Sequence, residues 1–107
     1  MNPLFSLALL ALPVLAWGAE LTGHAEVTGP SDDLRLWVYN DTDTDWEQVM
    51  VIVNGSLVCK AEAVPGKAMA ELAFKACDGT LEGEVTTVLI QSEQGSVALA
   101  GDRLSRV

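Results

Sequence analysis

The chain has 107 residues and a net charge of −9, with six basic against fifteen acidic side chains. That length holds one domain, and so acidic a surface repels phosphate backbones and anionic lipid heads. Nucleic acid and membrane surfaces are therefore not expected as partners; the charge suits a basic partner, but a solvated acidic surface typical of exported proteins is the preferred reading.

The first eighteen residues read as a secretory signal peptide and 19–107 as the mature domain. From Pro3 to Ala19 there is no charged side chain, and Leu and Ala dominate. Cleavage after Gly18 puts small residues, Ala16 and Gly18, at the two positions that require them. The n-region has no Lys or Arg, so only its α-amine is positive. The alternative, a retained anchor, needs about 20 apolar residues. This run is shorter, is interrupted by Pro13 and is followed by Glu20 rather than a basic cluster. A periplasmic or secreted protein with no stable membrane anchor after cleavage is expected.

Beyond the leader, short runs of Val, Leu, Ile and Thr are separated by Gly, Pro, Asp and Asn, with no sustained helical repeat. Strands are predicted at Leu21–Thr28, Leu34–Tyr39, Glu47–Asn54, Leu57–Val64, Ala68–Lys75, Val85–Ser92 and Ser96–Ala100. Pro65-Gly66, Asp78-Gly79 and Gln94-Gly95 mark bends. The Ala-rich stretch Ala61–Ala76 also admits a helix, which Pro65-Gly66 cuts short; strand is preferred. Seven strands in this length predict an all-β, immunoglobulin-like antiparallel sandwich with one disulfide.

Alternation assigns the faces. Leu34, Leu36 and Val38 oppose Arg35, Trp37 and Tyr39; Val49, Val51 and Val53 oppose Gln48, Met50, Ile52 and Asn54. A hairpin setting Leu36 against Val51 and Val38 against Val49 turns both apolar sets to one core, with Asp41–Trp46 as its loop. The remaining predicted core is Leu21, Ala25, Val27, Leu57, Ala61, Ala70, Leu72, Phe74, Val88, Ile90, Val97 and Leu99.

The stretches Val38-Tyr39-Asn40-Asp41-Thr42, Trp46-Glu47-Gln48-Val49, Val53-Asn54-Gly55 and Ala63-Val64-Pro65-Gly66-Lys67 together resemble a pattern of small bacterial exported domains. These are the FxLYD type and related immunoglobulin-like sandwiches. There a strand ends in Val-x-Asn, a polar turn follows, and a Trp opens a strand of alternating valines. The motif that names the FxLYD type is not evident. The resemblance spans residues 34 to 92 and implies the sandwich and a bacterial source, but no shared function and no site.

Cys59 and Cys77 are the strongest chemical signal. An even count in a small exported domain favours a disulfide, stabilising by about 3 kcal/mol for a loop of this length. Free thiols and a metal pair are the alternatives; the only histidine, His24, is distant in sequence, and zinc needs three or four ligands. Pairing across a tight turn at Pro65-Gly66 would set Cys59 opposite Ala73, so the bond requires a bulge or an early departure near Ala76.

Asp41, Asp43 and Asp45 space carboxylates at every second residue. An EF-hand loop needs Gly at its sixth position and Glu at its twelfth, where this chain has Trp46 and Ile52. A polar loop bonding its own backbone is favoured over weak calcium binding. In the predicted hairpin Trp37 lies beside Met50 and Arg35 beside Ile52. Arg35, Trp37, Tyr39, Met50 and Ile52 then form a candidate partner face, of residue types enriched at binding hot spots.

His24 alternates outward with Glu26 and has no nucleophile for a partner. No phosphate loop or nucleophile elbow is present, so no enzyme and no cofactor are expected. Asn40-Asp41-Thr42 and Asn54-Gly55-Ser56 fit the glycosylation acceptor pattern, relevant only in a eukaryotic source. The leading expectation is a non-enzymatic protein-interaction domain that contacts another exported protein. The alternatives are an acidic inhibitor or immunity-type protein against an exported basic enzyme, and a weak calcium- or ligand-binding sandwich.

Overall fold

A computed structural model describes residues 21–107; the predicted leader lies outside them. The strands are β1 (Gly23–Thr28), β2 (Arg35–Asn40), β3 (Trp46–Val53), β4 (Leu57–Val64), β5 (Met69–Ala73), β6 (Asp78–Gly79), β7 (Val88–Ser92), β8 (Gly95–Leu99) and β9 (Leu104–Arg106). They form two sheets, of order β5-β2-β1-β9 and β6-β4-β3-β7-β8. All pairings are antiparallel except β1 with β9. The seven predicted strands are all present, and two short ones, β6 and β9, extend the sheet edges. The strand order is that of an immunoglobulin-like Greek-key sandwich.

Each sheet turns one apolar face inward, as period-two alternation dictates. β1 and β2 bury Ala25, Val27, Leu36 and Val38, and β3 buries Val49, Val51 and Val53. Leu21, Leu57, Val88, Ile90, Val97 and Leu99 complete the predicted set as buried residues, while Ala61, Ala70, Leu72 and Phe74 pack against it half-buried. The helix alternative for Ala61–Ala76 is not realised; these residues form β4, β5 and one turn of 3₁₀ helix at Phe74–Ala76.

The predicted hairpin is corrected. β2 pairs with β1 and β5, whereas β3 pairs with β4 and β7, so β2 and β3 lie in opposite sheets. Leu36, Val38, Val49 and Val51 do face one core, but across the sandwich rather than along a ladder. The true hairpin is β3–β4, turned by Asn54 and Gly55 with φ of 52° and 75°. Ser56 N–H closes it on the Val53 carbonyl at 3.0 Å, and two successive positive φ values are what a type I′ turn demands.

Two crossings between the sheets pack together at one end of the molecule. Residues 41–45 carry the chain from β2 to β3, and Pro65-Gly66-Lys67 carries it from β4 to β5. Lys67 N–H donates to the Thr42 carbonyl and Gly66 N–H to Asp45 Oδ1, both at 2.9 Å. A side chain on Gly66 would meet the Asp43 backbone at 2.7 Å, so only glycine fits beneath the loop.

Asn40 pins this end. It is 1% exposed; its amide donates to the Val64 carbonyl at 2.9 Å and the Thr44 carbonyl at 2.8 Å. Its Oδ1 accepts from Thr42 N–H and Oγ1. Trp46 fills the adjoining core, fully buried. It faces inward together with Val49 because Gln48 between them adopts a left-handed φ of 53°, which shifts the alternation by one. Its Nε1 has no hydrogen-bond partner among the described residues.

The disulfide Cys59–Cys77 is formed, with Cα atoms 4.6 Å apart. The strand carrying Phe74 departs early, through the 3₁₀ turn at Phe74–Ala76, and returns to the other sheet. There Leu57 pairs with Gly79 and Val58 with Asp78. One more step of that register sets Cys59 opposite Cys77, at the spacing of a non-hydrogen-bonded antiparallel pair. The bond thus fastens the returning chain to the edge of the five-stranded sheet.

Candidate functional site

The candidate partner face is divided between the two sides of the sandwich. Met50 and Ile52 point out from the five-stranded sheet, and Arg35, Trp37 and Tyr39 from the four-stranded one. This follows from the corrected pairing: Met50 lies between Lys60 and Gln91, and Ile52 between Val58 and Leu89. Leu89 in turn pairs with Ala98, so a row of four apolar side chains crosses that sheet.

The outer face of the four-stranded sheet is more elaborately ordered. Three rows cross β1, β2 and β5: His24–Tyr39–Met69, Glu26–Trp37–Glu71 and Thr28–Arg35–Ala73. The His24 and Tyr39 rings stack with centroids 4.3 Å apart and planes 4° from parallel. His24 Nδ1 lies 2.7 Å from Asp41 Oδ2, in the crossing loop. The Tyr39 hydroxyl donates to Glu26 Oε1 at 2.9 Å, and Trp37 Nε1 donates to Thr28 Oγ1 at 3.0 Å. Arg35 donates to Glu71 at 3.2 Å and lies 3.7 Å from Asp33.

These bonds fix the aromatic rings: their polar atoms are held within the face, while the ring planes and Met69, which is 51% exposed, supply apolar contact. Charge follows the same geometry. The hydrogen bond to Glu26, then partial burial and the nearby carboxylate charge, raise the Tyr39 phenol above its ordinary value of 10.0. Hydrogen bonding and attraction to Glu71, with Asp33 adding to it, raise the Arg35 guanidinium above its ordinary value. The phenol therefore stays neutral and the guanidinium charged throughout the physiological range.

The acidic loop is dispersed. Asp41 turns to His24, Asp43 lies 3.9 Å from Lys67 Nζ, and Asp45 accepts from Gly66 N–H. Thr42 Oγ1 accepts from Thr44 N–H at 3.3 Å. Among the described residues no group of three or more His, Cys, Asp or Glu side chains is placed to hold a metal ion. The loop is a polar crossing that bonds its own backbone, and the geometry lends the calcium reading no support.

The two acceptor-pattern asparagines serve as internal fasteners. Asn40 is buried with its amide donors engaged. Asn54 donates to the Glu84 carbonyl and accepts from Thr86 and Thr87 N–H, tying the β3–β4 turn to residues 84–87. Between that segment, β9 and residues 31–34 lies a cleft of about 400 Å³ whose lining includes Val27, Leu34, Val85, Leu104, Glu84 and Arg106. Arg106 spends its donors on the carbonyls of Val27, Gly29 and Val107.

Sequence reading missed Trp46 as core, because strict alternation places it on the face of Gln48; the pattern of a Trp opening a valine strand was the available signal. It also missed Glu26, Glu71 and Met69 as neighbours of Trp37 and Tyr39, since those contacts come from pairings that alternation cannot specify. Set against known proteins, the chain matches no family model, no curated protein and no solved structure.

Proposed function

We propose that the protein is an exported, non-enzymatic interaction domain, of the kind of the small bacterial sandwiches that residues 34–92 resemble. It presents the outer face of its four-stranded sheet to another exported protein. The observation that carries this reading is the ordering of Trp37 and Tyr39 on an outward face. Both rings are locked by cross-strand hydrogen bonds, so a partner gains contact area with little further loss of side-chain freedom. The Cys59–Cys77 bond is compatible with an oxidising compartment.

The test is capture of partners from the periplasmic or extracellular fraction of an exporting host. Replacing Trp37 and Tyr39 by Ser abolishes specific capture, while replacing Met50 and Ile52 by Ser leaves it intact. The opposite pattern would move the contact surface to the five-stranded sheet and end this reading.

A further inference from the structure

The middle row of the ordered face has a particular chemistry. Trp37 stands between Glu26 on β1 and Glu71 on β5, each its direct cross-strand partner. Such partners have Cβ atoms about 4.5–5.5 Å apart, so a glutamate stands beside the tryptophan on each neighbouring strand. The Nε1 group is committed to Thr28, which leaves the π face as the part of the ring a partner can use. An indole face attracts cations, and carboxylates on neighbouring strands add a Coulomb attraction of the same sign.

Neither carboxylate is saturated. Glu26 accepts one bond from Tyr39 through Oε1, and Glu71 one from Arg35 through Oε2. An ionised carboxylate has about four acceptor sites. Arg35 offsets one of the two charges, so the row stays net negative, on a protein whose net charge is −9. Met69, half-exposed beside Tyr39 in the adjoining row, adds an apolar surface suited to the methylene stem of a long basic side chain.

We infer that the Glu26–Trp37–Glu71 row is a receptor for an arginine or lysine side chain projecting from a basic protein partner. This rests on the four-stranded face being the contact surface. The cation lies over the indole, its N–H groups shared between the two glutamates, and its stem runs toward Met69.

The experiment titrates the disulfide-bonded exported protein with a short oligoarginine peptide, and with oligoglutamate of equal length, following backbone and indole N–H resonances by NMR. Oligoarginine shifts the Trp37 indole and the Glu26 and Glu71 amides saturably; oligoglutamate does not. Glu26→Gln with Glu71→Gln weakens the affinity about tenfold. Trp37→Leu weakens it comparably with every charge retained, and Trp37→Phe falls between. Glu62→Gln with Glu93→Gln, which removes two charges elsewhere, leaves it unchanged. Equal losses in the two double variants, or no effect of Trp37→Leu, would mean diffuse attraction to an acidic surface and overturn the inference. Partner capture that depends on Trp37 while oligoarginine fails to bind there would keep the contact face and reject the cation receptor. Loss of both would remove the two together.

Discussion

Asn40 shows how much of this fold hangs on single polar contacts. Its side chain satisfies the Val64 carbonyl in the interior and holds Thr42 and Thr44 in the crossing loop. Asn40→Ala removes these donors and leaves a buried acceptor without a partner, a loss of roughly 2–3 kcal/mol in a urea unfolding curve. Asn40→Asp is worse at neutral pH, because it points a carboxylate at two carbonyl oxygens; a variant as stable as the parent would refute the role assigned to Asn40. Gly23 is constrained differently. A Cβ there would meet the Tyr39 carbonyl at 2.7 Å and Trp46 Cη2 at 2.8 Å, neither free to retreat. Gly23→Ala therefore costs about 1–3 kcal/mol by overpacking, read from the same denaturation midpoint. Tyr39 offers a spectroscopic check, being the only tyrosine. Its phenol, raised by Glu26, ionises above the ordinary value of 10.0, and tyrosinate absorbance reports it alone. Since the folded value exceeds the unfolded one, this contribution to stability is complete below pH about 10 and is lost as pH rises through the folded value. Glu26→Ala returns the titration toward the ordinary value; an unchanged midpoint would mean that the Tyr39–Glu26 bond is not made in solution.

At the scale of elements, the strands and, apart from Trp46 beyond the break at Gln48, their inward faces were legible in the sequence, while the partner of each strand was not. Alternation fixes which side chains point inward, and it is equally satisfied by two strands adjacent in one sheet or opposed across the core. β2 and β3 are the instance: Leu36, Val38, Val49 and Val51 meet in either arrangement. What decided the matter was turn chemistry. Asn54-Gly55, flanked by alternating valines, is the strong short-hairpin signal, and it belongs to β3–β4. The polar residues 41–45 instead follow an asparagine whose side chain fastens a crossing. The candidate face divided for the same reason, its Trp37 half acquiring Glu26 and Glu71 and its Ile52 half acquiring Val58 and Leu89. The disulfide was legible from the even cysteine count and from the export expected of the leader, and its geometry came from the departure at Phe74–Ala76. Because Cys59 and Cys77 are 18 residues apart and close the path between the two sheets, removing the bond frees that loop in the unfolded chain. Cys59→Ala with Cys77→Ala is expected to lower stability by about 3 kcal/mol, as a lower denaturant midpoint with a steeper slope, because the freed unfolded chain exposes more surface. A negligible shift would assign the fastening of β6 to its ladder alone.

For the whole molecule the governing quantity is charge. Fifteen acidic side chains face six basic ones, and the ion pairs that form are on the surface: Arg35 with Asp33 and Glu71, Lys67 with Asp43, Lys75 with Asp33, and His24 with Asp41 when protonated. Pairs of this kind contribute about 0–1 kcal/mol each. Against them stands the mutual repulsion of the unpaired carboxylates, drawn closer together by folding than in the extended chain. Salt screens both, with a Debye length of about 10 Å at 0.1 M and about 3 Å at 1 M. The attractive pairs lie within 4 Å and lose least, whereas the repulsive terms act over longer distances and lose most. The melting temperature of the isolated domain should therefore rise as sodium chloride is increased from low to moderate concentration. Association with a basic partner should weaken over the same range, because screening removes the attraction between opposite net charges. A melting temperature that falls with salt would show that the few surface pairs outweigh the repulsion. The acidic excess would then be part of what stabilises the fold.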